Sequence, residues 1–146
     1  MFFWFIGTSI ATIWFVFHDK KFAYRLVVAG ALAPDVIEVF LGHAGPLHSL
    51  VTIVAIMAVV MLVTYGRKKS RSKMLAFVIG MFLHLVFDGA FTNTKMFWWP
   101  ISGLQFGDYA LPVFDRGLIN IPLEIIGVLL ILWTRKQVKN ALSPQP

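Results

Sequence analysis

The sequence predicts an all-α fold, a polytopic transmembrane helical bundle of about five spans. Three observations lead there. The 146 residues are 58% hydrophobic and 14% charged, where soluble domains run about 45–50% apolar and about 25% charged. The apolar residues gather in five runs near the length needed to cross a bilayer, the first of them short. The basic residues collect between those runs. There is no cysteine, which excludes disulfides and thiolate chemistry.

Residues 2–17 form the first run. It lacks the basic n-region and small-residue cleavage site of a signal peptide, so it reads as a span. Residues 22–41 form the second. Pro34 lies inside it beside Asp35 and Glu38, and a proline there opens the helix one turn back, at Gly30. A kink beside two carboxylates belongs in a bundle interior and not against lipid. Gly42–Pro46 reads as a tight turn. Residues 47–65 form the third span, with His48 in its first turn. Gly66–Lys73 reads as a basic loop. Residues 74–91 form the fourth span, carrying His84 and Asp88. The connection Thr92–Gly117 is rich in aromatics, glycine and proline, and Phe97–Pro100 reads as an interfacial anchor. Residues 119–134 form the fifth span, around Glu124, and the tail 140–146 reads as disordered. The whole chain is a single integral membrane domain.

An N-terminus outside and a C-terminus inside puts 11 of the 13 basic residues on the inner side, leaving Lys95 and Arg116 outside. The cations therefore read as topology signals and contacts to anionic headgroups, which excludes nucleic acid as a partner. The plasma membrane is the expected location. At about 1.5 Å per residue, Asp35 lies about 9 Å from the outer end of its span, His84 about 10 Å, Asp88 about 4.5 Å and Glu124 about 7.5 Å. His48 starts its span on the same side. The intramembrane ionisable groups thus lie at similar depth on one side.

Such groups are costly in lipid and mark functional sites. His84 and Asp88, spaced i,i+4, share a helix face, and Asp35 and Glu38, spaced i,i+3, share another. Facing pairs of this kind build metal sites in bundles. Imidazoles and carboxylates together suit a divalent cation: zinc, or manganese or iron. The expected ligands are Asp35, His48, His84 and Asp88. Glu38, off the metal, is expected to act as the general base or to orient a ligand.

Each residue also has a plainer reading. His84 and Asp88 can form a structural hydrogen bond. Asp35 after Pro34 can cap a restarting helix. His43 suits a solvated turn. Glu124 can pair with Arg116 or Asn120. The expected function is a membrane-bound metal-dependent hydrolase acting on an interfacial or lipid-type ester or phosphoester. The alternatives are an ion- or proton-transporting protein and a non-catalytic one whose polar cluster holds helices together. A transport path needs ionisable groups in the inner halves of the spans, which carry none apart from terminal basic residues.

Three segments, Gly30–Asp35 (Gly-Ala-Leu-Ala-Pro-Asp), His43–Ser49 (His-Ala-Gly-Pro-Leu-His-Ser) and His84–Asp88 (His-Leu-Val-Phe-Asp), together resemble the YdjM-like family. That family is described as LexA-regulated, membrane-bound, predicted metal-dependent hydrolases. The resemblance covers roughly residues 30–100, and Phe97–Pro100 is similar to a segment of a small actinobacterial-type branch. It implies metal-site roles for Asp35, His48, His84 and Asp88.

Overall fold

The computed structural model describes residues 1–40, 45–104 and 117–142. The described residues form six α-helices and no strand: α1 (Phe2–Phe17), α2 (Tyr24–Val39), α3 (Leu50–Val63), α4 (Lys68–Asp88), α5 (Thr94–Phe97) and α6 (Asn120–Leu142). Two segments are long and apolar enough to cross a membrane, Lys68–Asp88 and Gly117–Ala141, and Phe2–Phe17 and Leu50–Val63 are shorter apolar helices.

The helix ends depart from the apolar runs for local reasons. α4 begins at Lys68, inside the stretch expected to be a basic loop, because lysine and arginine are good helix formers. It ends at Asp88 and not at 91, because Gly89 adopts a left-handed conformation, φ 69°. α3 is shorter than 47–65 at both ends. Pro46–His48 forms a separate 3₁₀ turn, and the Ser49 side chain caps α3 by accepting from the Thr52 amide. α2 covers 24–39 where 22–41 was expected. α6 runs past 134 to Leu142, so residues 140–142 of the expected disordered tail are helical.

Glycine sets the two largest helix contacts. α2 packs on α4 through Gly30 and Gly80, where a Cβ would fall 1.9 Å from the Phe77 carbonyl oxygen and 2.1 Å from that of Val27. α1 packs on α6 through Gly7 and Gly127, where a Cβ would fall 2.2 Å from the Gly127 oxygen and 2.3 Å from that of Phe3. Small residues let backbones approach closely, which is how helices associate in lipid without a hydrophobic drive. Ile13, Val27, Ala76 and Leu83 knit α1, α2 and α4 together. Ile53, Val60, Val78, Met81 and Leu85 knit α3 to α4.

Outside these contacts the helices present apolar side chains outward. Phe15, Leu62, Val63, Leu129 and Leu132 are all exposed. Buried instead are Glu38, His48, His84 and Asp88, each at most 1% exposed. This inversion suits a chain whose surroundings are lipid.

Candidate metal centre

Three elements deliver the site: the C-terminal half of α2, the 3₁₀ turn before α3 and the last two turns of α4. On α2, Pro34 lies inside the helix and is buried. A proline removes one N–H and opens the ladder over the preceding turn. On that turn the Ala31 carbonyl accepts a hydrogen bond from His84 Nδ1, 2.7 Å. Gly30 and Gly80 bring α2 and α4 close enough for this bond to form.

Glu38 lies on the last turn of α2 and is fully buried. Its carboxylate accepts from the Gly45 amide, from the Leu47 amide at 2.6 Å and from His48 Nδ1 at 2.6 Å. The carboxylate thereby holds the 3₁₀ turn against α2 and fixes the His48 ring. A Cβ at position 45 would lie 3.1 Å from Glu38 Oε1, so glycine lets the backbone reach the carboxylate.

Both imidazoles therefore carry a proton on Nδ1, because a carbonyl and a carboxylate can only accept. The two Nε2 atoms face each other 3.3 Å apart. Asp35 Oδ1 lies 3.4 Å from His84 Nε2 and 3.6 Å from His48 Nε2. Asp88 Oδ2 lies 3.7 Å from His48 Nε2. Asp35, His48 and His84 form a group that could hold a metal ion, with ligand atoms all within 4.8 Å of one another. The Phe5 ring lies against His84, centroids 4.2 Å apart, and closes the site from α1. Trp4 Nε1 donates to the Phe87 carbonyl at 3.1 Å and ties α1 to the same stretch of α4.

The donor set passes a test of fit. A tetrahedral ion with nitrogen and oxygen ligands at about 2.0–2.1 Å holds those atoms about 3.3–3.4 Å apart. The separations of 3.3, 3.4 and 3.6 Å among His48, His84 and Asp35 match such edges closely. With the proton on Nδ1, each ring in its neutral form would turn an Nε2 lone pair toward the centre beside a carboxylate oxygen, a donor set that suits a cation. Each histidine is also held through its other nitrogen, one by a carboxylate and one by a carbonyl, as metal-ligating histidines are.

All five residues singled out in the sequence come together, although two are displaced from their expected positions. His48 sits on the 3₁₀ turn and not in the first turn of a helix. Asp88 is the last residue of α4 and not one turn inside it. Glu38 contacts the Nδ1 side of His48, away from the facing Nε2 atoms. His84 gives its Nδ1 proton to Ala31, not to Asp88. His43 lies outside the described residues, as do Asp108, Asp115 and Arg116. Glu124 takes no part in the cluster. Its Oε2 accepts from the Phe3 amide at 2.8 Å, at the N-terminus of α1.

Sequence reasoning did not reach the Ala31 carbonyl, the Gly45 and Leu47 amides or the Phe5 ring. Backbone partners leave no residue-type signal, and Phe5 is one of 14 phenylalanines. Ser49 entered only as the last residue of the family-like segment His43–Ser49, without a role; its Oγ donates to the Trp99 carbonyl at 2.5 Å and fastens the aromatic segment to the site turn.

Fold and cluster together define a helical membrane protein with a candidate divalent-metal centre. The chain belongs to the YdjM inner membrane protein family, whose model matches residues 4–143. No curated protein and no solved structure matches it significantly.

Proposed function

We propose that this protein is a membrane-bound metal-dependent hydrolase acting on an ester or phosphoester at the membrane interface. One observation carries the reading: His48, His84 and Asp35 turn three ligand atoms onto one point at separations of 3.3–3.6 Å, with both histidines fixed from behind. Asp35, His48 and His84 hold the ion, and Asp88 is the fourth protein group at the site. Zinc fits this donor set best, with manganese and iron next. When bound, the ion supplies Lewis acidity and brings the pKa of a hydrolytic water toward about 7.

Of the two roles expected of Glu38, general base and orienting group, its hydrogen bonds favour the second. It is a positioning residue. Asp35, with 16% of its side chain exposed, is the least enclosed of the group and marks the side from which substrate enters. Asp88 then serves either as a further ligand or as the base for water.

Five helices crossing the bilayer, with the N-terminus outside, would put the site at the outer headgroup level, and this location carries the assignment to a lipid-type substrate. The supporting pattern is the placement of 11 of 13 basic residues on one side.

Elemental analysis tests the centre. The detergent-purified wild type should carry near-stoichiometric metal, and a folded Asp35→Ala/His84→Ala variant should carry none. Metal in neither protein after reloading would sink the hydrolase reading. A proton shared by the two histidines would then hold the cluster together.

A further inference from the structure

At the basic end of the bundle, α1, α2 and α6 enclose a groove of about 330 Å³ lined by Ile10, Tyr24, Arg135, Val138 and Lys139. It shares no residue with the candidate metal centre. Because α6 stays helical to Leu142, Arg135 and Lys139 are fixed one turn apart on one helix face, and both are exposed. Val138 and Ile10 form a half-buried apolar floor beneath them. The Tyr24 hydroxyl donates to the Asp19 carbonyl at 2.9 Å, and the Asp19 carboxylate accepts from the Lys21 amide at 2.8 Å. The turn bearing Lys20 and Lys21 is thus tied to a residue of the groove wall.

A free anion would use the cations and leave the floor bare. A zwitterionic lipid would use the floor but set a cation of its own beside Arg135 and Lys139, at a bundle end where Lys20, Lys21, Arg25 and Lys136 outnumber Asp19. We infer that this groove binds an anionic phospholipid of the surrounding bilayer, its phosphate between Arg135 and Lys139 and its acyl chain over Ile10 and Val138. Basic pockets between helices take such headgroups, at about 1 kcal/mol per cation near the surface. The exposed Arg135 and Lys139 leave a bound phosphate partly hydrated, while the chain packs over the apolar floor.

The full-length protein, reconstituted in a mixed phosphatidylcholine–phosphatidylglycerol bilayer and extracted in mild detergent, tests this by mass spectrometry of retained lipid. The wild type should be enriched in phosphatidylglycerol over the bilayer ratio. Arg135→Gln/Lys139→Gln should cut that enrichment about ten-fold. Ile10→Trp, which fills the floor, should also cut it, and Arg135→Lys should keep it. Lys68→Gln/Lys69→Gln, an equal charge change at another helix end, should leave it intact. No enrichment in the wild type, or equal loss in the Lys68/Lys69 variant, overturns the site. Displacement of the lipid by inorganic phosphate alone would reduce it to an anion site and overturn the lipid assignment.

Discussion

Glu38 and His48 meet through a single 2.6 Å hydrogen bond between two fully buried groups, and this contact joins α2 to the turn that precedes α3. The carboxylate also receives two backbone amides, so its three bonds fix both where His48 lies and which nitrogen it turns inward.

Replacing Glu38 by Gln keeps the shape and removes the charge. Groups that orient a metal-binding histidine typically contribute 10- to 100-fold in affinity. Glu38→Gln is expected to weaken zinc binding by that factor while leaving roughly one ion per chain at saturating zinc. Competition titration with a chromophoric chelator measures it. Unchanged affinity would mean that Glu38 only holds the turn.

Metal should stabilise the fold. A ligand present at 100 times its dissociation constant adds about 2.7 kcal/mol. Zinc should raise the thermal midpoint of the wild type in detergent and leave that of His84→Ala unmoved. Protons compete for the same nitrogens and carboxylates, so the zinc-dependent increment should shrink as pH falls. An increment that grows at acid pH would contradict the donor set.

Asp88→Asn should abolish hydrolysis of whichever ester or phosphoester a substrate screen identifies, with helical content retained by circular dichroism. A variant that loses only stability would support a structural role for the cluster.

Gly80→Ala puts a methyl group 2.1 Å from the Val27 carbonyl oxygen, so α2 and α4 must separate. Overpacking of this kind costs about 1–3 kcal/mol. Separation also lengthens the bond from His84 to Ala31, so stability and metal affinity should fall together. A variant that loses stability alone would uncouple the helix contact from the site.

The absence of native cysteine makes the topology easy to map. Ser70 and Thr94 are both exposed, on either side of the buried stretch of α4. In intact cells, Thr94→Cys should react with a membrane-impermeant maleimide, and Ser70→Cys should react only after permeabilisation. Labelling of both would remove the outward-facing site.

The bounds of α1 were legible from the apolar run itself, 2–17. Those of α4 and α6 were not, because hydropathy marks where lipid can begin and a helix of lysines and arginines continues past that point. The five polar residues of the cluster stood out because ionisable groups in an apolar run have few explanations. Their division of labour did not, because it depends on main-chain partners. Nothing in the residue types at Ala31, Gly45 or Leu47 indicates that their backbone atoms orient a histidine and a glutamate.

The glycine contact between α1 and α6 also bears on the order of assembly. Every polar group of the cluster has been synthesised once the ribosome passes Asp88, yet the Phe5 ring that closes the site belongs to a helix whose broadest contact is with α6. Until Gly127 emerges and seats against Gly7, α1 lacks that support. During biogenesis the nascent chain therefore passes through a stage in which the polar groups of the cluster are present while α1 lacks its broadest contact. The candidate ion site is least covered at that stage, and docking of α6 would complete its cover.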